Sequence, residues 1–203
     1  MAPQIKAVTT VEGTVVQDPP IARFLFSDTR FAWFWTIVRV LLGFAWLDAG
    51  WHKVTDPAWV ETGQALQGFW TRAAAIPEGG RPAIAFDWYR GFIQGLLDAE
   101  AYTWFAKLVA YGEVIIGVML IIGAFVGIAA FLGGFLNWNF IMAGTASTNA
   151  LLMVAAIVLI LAWKTAGWYG LDRYLLTRLG TPWNSPLLHR NRAQTPPTAK
   201  AAA

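Results

Sequence analysis

The amino-acid sequence predicts an all-α integral membrane protein: a four-helix bundle with amphipathic interfacial helices in the long connection between helices 1 and 2. The 203 residues are 57% hydrophobic and 13% charged, about half the charged share of a soluble domain. Their apolar runs are long enough to cross a bilayer. The net charge of +3 is too small for a surface that follows nucleic-acid phosphates. We therefore expect the lipid bilayer, and no nucleic acid, as a partner.

Four apolar segments carry the bundle prediction. A run from Leu108 to Ala143 contains one charge, Glu113, and as one helix it would be about 54 Å long, far more than a bilayer needs. The two glycines of 123–127 permit a tight turn that divides it. The four predicted spans are Phe31–Gly50, Trp104–Gly123, Gly127–Gly144 and Thr148–Trp168.

Basic residues outside the spans predict the orientation. The two ends of the chain carry Lys6, Arg23, Arg30, Lys164, Arg173, Arg178, Arg190, Arg192 and Lys200, whereas the connection between helices 1 and 2 carries Lys53, Arg72, Arg81 and Arg90. We therefore expect a multi-pass protein of the cell membrane, with both termini cytoplasmic. Residues 1–30 form the N-terminal segment, 31–176 the transmembrane domain and 177–203 a partly disordered tail. The first twenty residues are also expected to be disordered, and no cleavable signal peptide is visible.

Residues 56–102 are too long and too aromatic for a plain loop. Asp56-Pro57 is a good helix start, and the segment 77–82 is rich in proline and glycine. One amphipathic helix is predicted on each side of the segment 77–82, and both are expected to lie on the outer membrane surface. The alternative is a small extracytoplasmic cap packed only on itself.

Charges inside the spans give the first candidate site, because a charge in hydrocarbon needs a partner or a task. Counting along the helices places Arg39 about 12 Å and Glu113 about 15 Å from the cytoplasmic face. The sequence therefore predicts a buried Arg39–Glu113 ion pair. One of Asn137 and Asn139 should face inward and reach this pair.

A second group of candidates lies near the outer face. The same arithmetic places Asp48 and Lys107 both about 25 Å from the cytoplasmic side. Asp48 has four alternative partners: His52 one turn later, Lys53, Lys107 or water. No residue is assigned a catalytic role from the sequence.

Three interpretations of these polar residues stay open. They fix helix register and packing, they form a polar pocket for a quinone head group or a small anion, or they form a path for protons or solutes. The twelve tryptophans are typical of interface belts.

The residue inventory excludes several cofactors. The chain has no cysteine and two histidines, His52 and His189, which the predicted topology places on opposite sides of the membrane. We therefore expect no haem, no iron–sulfur cluster and no zinc. Redox chemistry would need an organic partner such as a quinone, held without a covalent bond, or another subunit.

Several short motifs give a family resemblance over residues 31–176. They are Arg39 with Gly43 and Gly50-Trp-His-Lys53, Glu113 with Gly117 and Gly123, Thr148-Asn149-Ala150, and Gly170-Leu-Asp-Arg173. Together they resemble the DoxX/DoxD family of small four-helix membrane proteins. The long aromatic connection looks more like the DoxD branch, known as the membrane subunit of thiosulfate:quinone oxidoreductase.

The resemblance implies a membrane subunit of a redox complex, with quinone-linked oxidation of thiosulfate or a related sulfur species. Its partners would be other membrane or extracytoplasmic redox subunits, and a homo-oligomer is compatible with the sequence. The alternative is a non-catalytic anchoring or assembly subunit of a larger membrane complex. A transporter is a weaker third hypothesis, because no inverted repeat is visible.

Overall fold

The structure is a computed structural model that describes residues 7–10, 13–16 and 18–180. These residues form one short hairpin followed by helices. In the hairpin, β1 (Ala7–Thr10) pairs antiparallel with β2 (Gly13–Val16), and a 3-10 turn at Thr29–Phe31 precedes the second helix. The helices are α1 (Pro20–Ser27), α2 (Ala32–Val54), α3 (Pro57–Val60), α4 (Gln64–Ala74), α5 (Asp87–Asp98), α6 (Tyr102–Ile122), α7 (Val126–Met142), α8 (Asn149–Leu161), α9 (Trp163–Ala166) and α10 (Asp172–Leu179).

An apolar helix lies at each of the four predicted positions. Within the described ranges, two of them are long and apolar enough to cross a membrane: Thr29–Val54 and Tyr102–Ile122. α7 and α8 are apolar but shorter. The disorder expected for the first twenty residues does not hold for the two paired strands, and the predicted tail from residue 181 onward lies outside the described residues.

Close contact between α2 and α6 organises the bundle. A Cβ at Gly117 would lie 2.6 Å from the Leu47 nitrogen, and one at Gly43 would lie 2.9 Å from the Gly117 oxygen. The two backbones can therefore approach only because both positions lack a side chain. α7 and α8 complete a common core with α2 and α6 that includes Leu42, Trp46, Ile116, Leu120, Ala130, Ala156 and Leu159.

The predicted break between helices 2 and 3 is confirmed. Gly123 has φ +70°, and Phe125 also adopts the left-handed region with φ +47°. These two residues reverse the chain between α6 and α7. Glycine meets this demand without a Cβ penalty, whereas Phe125 is held there by contacts described below.

The connection between α2 and α6 folds into α3, α4 and α5. Asp56 caps α3 by accepting a hydrogen bond from the Ala58 nitrogen at 2.9 Å. The helix expected to run on from there ends instead before Gly63, whose φ is +74°. α4 and α5 share a buried cluster with the ends of α6 and α7: Leu66, Trp70, Ala73, Ala74, Ile84, Tyr89, Ile93, Ala106 and Ala143. A cap packed only on itself is therefore wrong.

Candidate functional site

An ion pair between α2 and α6 lies at the centre of the candidate site. The Lys53 ammonium is 2.6 Å from Oε2 of Glu113. The Glu113 side chain is 1% exposed and the Lys53 side chain 19%. Lys53 Nζ also donates to the Ala49 carbonyl at 3.2 Å and lies 5.3 Å from the centre of the Trp59 ring. Oε1 of Glu113 has no hydrogen-bond partner among the described residues.

Small residues on α2 place Glu113 where it can meet Lys53. A Cβ at Gly50 would lie 2.6 Å from the Val114 nitrogen and 3.0 Å from Cβ of Glu113. The missing side chain lets α6 press its carboxylate against α2. Lys53 follows Gly50 by about one helical turn, so its ammonium lies on the same face.

A cavity of about 860 Å³ opens beside this pair. Its walls come from α2, α3, α4, α6, α7, α8 and the turn before α8. They combine aromatic rings with polar groups: Trp46, Trp59, Phe69 and Phe140, together with Asp48, Lys53, Gln64, Arg72, Glu113, Thr145, Thr148 and Asn149. The charged lining consists of two cations and two carboxylates, so the cavity has no net charge. Arg72, a basic residue that the sequence places at the outer face together with His52 and Lys53, also lines the cavity.

Trp46 and Asn137 also carry buried polar atoms without partners. Among the described residues, Trp46 Nε1 and both polar atoms of the Asn137 amide make no hydrogen bond. A Cβ at Gly133 would lie 2.9 Å from Trp46 Nε1 and 3.4 Å from the Ile116 side chain. Asn137 is one turn beyond Gly133, and the antiparallel direction of α6 puts it level with Glu113. The prediction that one asparagine faces inward is confirmed for Asn137, which is fully buried. The predicted contact of that asparagine with an Arg39–Glu113 pair is wrong, because its amide makes no hydrogen bond with the described residues.

The predicted Arg39–Glu113 ion pair is wrong. Arg39 is 2% exposed, and its guanidinium donates to the carbonyls of Leu120, Ile121, Ala166 and Tyr169 at 2.5–3.1 Å. Glu113 binds Lys53 instead. Arg39 therefore has a backbone-capping role at the opposite end of the bundle.

The depth arithmetic failed because it placed Phe31 and Gly123 at the same level. A Cβ at Gly123 would lie 2.8 Å from Cζ of Arg39, so α6 ends level with Arg39 rather than level with the start of α2. The helices are offset by about two turns, or roughly 11 Å. Because of this offset, Glu113 lies level with Gly50 of α2.

Asp172 lies close enough to Arg39 to interact with its charge, and it was missed as a site residue. Its carboxylate is fully buried and accepts hydrogen bonds from the backbone nitrogens of Phe125 and Val126. Burial raises the pKa of the Asp172 carboxyl, and these two bonds together with the charge of Arg39 oppose that rise. A cation at the end of α6 and a carboxylate at the start of α7 both complement the helix dipoles.

The remaining predicted residues lie in separate places. Asp48 and His52 approach within 3.6 Å, with their side chains 78% and 75% exposed, and Asp48 lines the cavity. Lys107 is exposed and has no ion pair or hydrogen bond with the described residues. Asn139 lies apart from Glu113: its amide oxygen accepts from the Tyr89 hydroxyl at 3.1 Å. Burial raises the pKa of that hydroxyl above its ordinary value.

Neither metal ligands nor known relatives add to this geometry. The described residues contain no group of three or more histidine, aspartate or glutamate side chains that could hold a metal ion. The chain matches no protein-family model, no curated protein and no solved structure. The functional argument therefore comes from the contacts themselves.

Proposed function

We propose that the protein is a four-span membrane protein in which Arg39, Glu113 and Asn137 face the inside of the bundle, whereas the exposed Asp48 and Lys107 lie toward its outer end. The described helices have the polarity expected in lipid: the charged and amide side chains of Arg39, Glu113 and Asn137 are buried, and large apolar side chains point outward. Each of the four apolar helices carries such an outward face. Its members include Ile37, Leu41 and Phe44 on α2, Leu108, Ile115 and Val118 on α6, Ile128, Phe131 and Phe135 on α7, and Leu151, Val154 and Ile157 on α8.

The lengths of the two shorter helices are compatible with crossing. The 17 residues of α7 span about 25 Å, and α8 continued by α9 spans about 27 Å. Both lengths are close to the hydrocarbon thickness of about 30 Å, and a bilayer thins locally around a short span. Four crossings place both termini on one side, and the distribution of basic residues favours the cytoplasm.

Within this membrane we propose a redox-linked subunit of DoxX/DoxD type, with the cavity beside Lys53 and Glu113 as its quinone site. The observation that carries the proposal is the buried Lys53–Glu113 pair with an unpartnered carboxylate oxygen, next to a large aromatic-lined cavity. Intramembrane ionisable groups of this kind are typical of ligand or proton sites.

The lining residues fit a quinone head group. Its carbonyls need hydrogen-bond donors, and the Lys53 ammonium, which lines the cavity, can supply one. Its flat ring needs apolar faces, which Trp59, Phe69 and Phe140 supply. A bound quinone would supply two-electron, two-proton chemistry, and Glu113 is positioned to hold or pass one proton.

The charge balance favours a quinone over an anion in this cavity. Thiosulfate would meet carboxylates as often as cations, since Asp48 and Glu113 offset Lys53 and Arg72. In this proposal the sulfur species is oxidised by a partner subunit on the outer face. The chain itself holds the quinone in the membrane.

The experiment measures quinone binding to the protein purified in a mild detergent. Quenching of tryptophan fluorescence by a short-chain quinone gives the dissociation constant, and extraction shows whether an isoprenoid quinone copurifies. We expect Glu113→Gln to weaken binding at least tenfold, which is about 1.4 kcal/mol. Glu61→Gln is the control, because Glu61 is exposed and lies outside the cavity lining. Equal binding by both variants, or no binding by the wild type, would overturn the quinone site.

An anchoring or assembly subunit is the second candidate, favoured by the inner cluster of Arg39 and Asp172. Arg39 donates its hydrogen bonds to backbone carbonyls, and Asp172 accepts hydrogen bonds from backbone amides. Contacts of this kind are typical of a structural element. Changing both Lys53 and Glu113 to methionine separates the candidates. A well-folded double variant that keeps the activity of its complex favours anchoring, and one that loses it favours the quinone site.

A further inference from the structure

A second, smaller cavity lies between the connection helices and the bundle, and we call it the apolar chamber. Its volume is about 130 Å³, and its walls come from α4, α5, α6 and α7. Among the described residues that line it, none carries a charge. The apolar lining includes Leu66, Trp70, Ile93, Leu96, Val109 and Leu136. The chamber is close in size to the apolar cavities of about 150 Å³ that hold benzene or xenon in proteins.

The hydroxyl and amide groups that line the chamber already have hydrogen-bond partners. The Tyr89 hydroxyl lies 3.1 Å from both the backbone oxygen and the amide oxygen of Asn139. The Asn139 amide nitrogen donates to the Phe135 carbonyl at 2.8 Å. Because a buried polar group without a partner costs free energy, the chamber favours a hydrocarbon group over a polar one.

The chamber shares a wall with the large cavity beside Lys53 and Glu113. Phe69 of α4 and Phe140 of α7 line both cavities, and their rings meet edge to face with centres 6.3 Å apart. On α6, Val109 lines the chamber, and Glu113 lines the large cavity about one helical turn later. Four residues of a helix rise about 6 Å, so a substituent on a ring bound at Glu113 lies within reach of the chamber.

We propose that the apolar chamber binds the first hydrocarbon segment of a ligand whose polar head group binds beside the Lys53–Glu113 pair. The ligand class is a ring with an isoprenoid or alkyl substituent, and the substituent passes between the rings of Phe69 and Phe140. The chamber suits a branched unit of about five carbons, because a cavity of this size holds benzene. The identity of the head group as a quinone rests on the proposed function, whereas the preference for hydrocarbon rests on the lining of the chamber.

Two quinones that differ only in the substituent test this assignment. One probe is the unsubstituted ring, and the other is the same ring with a single prenyl group. Quenching of tryptophan fluorescence measures their binding to the wild type in mild detergent, with partition into protein-free micelles subtracted. We expect the prenyl group to tighten binding at least tenfold, which is about 1.4 kcal/mol. Equal dissociation constants for the two probes would overturn the proposal.

A variant that fills the chamber shows where the prenyl group binds. Val109 lines the chamber and is 6% exposed, whereas Val118 lies on the same helix, is 41% exposed and lines neither cavity. We expect Val109→Phe to remove the gain from the prenyl group and to leave binding of the unsubstituted ring unchanged. The matched control Val118→Phe should change neither value, with helical content equal in both variants. If Val109→Phe keeps the gain, or weakens both probes equally, the chamber does not hold the substituent.

Failure of the chamber and failure of the quinone site give different results. A wild type that binds the unsubstituted ring without a gain from the prenyl group keeps the quinone site and loses the chamber. A wild type that binds neither probe loses the quinone site, and crystals pressurised with xenon then test the chamber alone, because xenon enters apolar cavities. Xenon in the chamber of the wild type but not of Val109→Phe would support a hydrocarbon site, and its absence from the wild-type chamber would overturn it. Ala143→Leu fills the chamber from α7 in case Val109→Phe does not fold.

Discussion

Replacing Arg39 by methionine removes the group that satisfies the end of α6. The last four carbonyls of an α-helix have no partner within the helix, and here each has one. The Met119 oxygen accepts from the nitrogen of Ala124 and the Ile122 oxygen from that of Leu171, while Arg39 serves Leu120 and Ile121. The variant would leave these last two carbonyls buried and unpaired.

The magnitude follows from those bonds. Each buried group left without a partner costs about 1–3 kcal/mol, and the buried Asp172 also loses the nearby positive charge. We expect Arg39→Met to lower the free energy of unfolding by about 3–5 kcal/mol, as for other broken buried charge contacts. Arg39→Lys should recover only part, because an ammonium cannot reach four carbonyls in the planar geometry of a guanidinium.

Equilibrium unfolding in mixed micelles, followed by circular dichroism, measures this loss. Arg30→Met is the control: its guanidinium is 78% exposed and pairs with Asp28 on the surface, so the unfolding midpoint should not change. A loss below about 1 kcal/mol for Arg39→Met would refute the capping role, because a single neutral hydrogen bond contributes that much.

Three further predictions concern the Lys53–Glu113 pair, the contact between α2 and α6, and the attachment of α5 to α7. Lys53→Met or Glu113→Leu alone should each lower the free energy of unfolding by about 3–5 kcal/mol, because each leaves a buried charge without its partner. The double variant should return to within about 1 kcal/mol of the wild-type value. Strictly additive losses would argue against the pair. Gly117→Ala should lower the free energy of unfolding by about 1–3 kcal/mol, because its Cβ would meet the α2 backbone. In the same unfolding assay the control Gly112→Ala, which has open space around it, should be neutral or stabilising. Tyr89→Phe should lower the free energy of unfolding by about 1 kcal/mol and speed hydrogen exchange in α5. Unchanged exchange would show that the bond from Tyr89 to α7 does not hold α5 in place.

The positions of the helices could be predicted because they depend on local patterns. Long apolar runs with few charges predicted the four apolar helices, and two nearby glycines predicted the reversal at Gly123. Asp56-Pro57 predicted the start of α3, whereas the break between α3 and α4 at Gly63 was not predicted. That break depends on a distant contact: a Cβ at Gly63 would lie 2.4 Å from the Tyr102 oxygen.

The partners of the buried charges could not be predicted, because they depend on how far one helix slides along another. Counting residues from the first apolar position assumed equal starting levels for α2 and α6. The glycine contacts at Gly43, Gly50 and Gly117 set a different register, which exchanges Arg39 for Lys53 as the partner of Glu113. The capping role of Asp172 depends on the chain after α9 coming back to the start of α7. No local sequence pattern predicts that contact.

Labelling of residue 146 tests the four-span arrangement most directly. Ala146 lies in the exposed turn between α7 and α8, and in the otherwise cysteine-free chain Ala146→Cys provides a single thiol. In intact cells we expect an impermeant maleimide to label this thiol as it labels Gly79→Cys in the loop after α4. Leu179→Cys at the end of α10 should react only after the membrane is opened. If Ala146→Cys instead behaves like Leu179→Cys, then α7 and α8 do not cross, and the outer cavity is not enclosed by a membrane bundle.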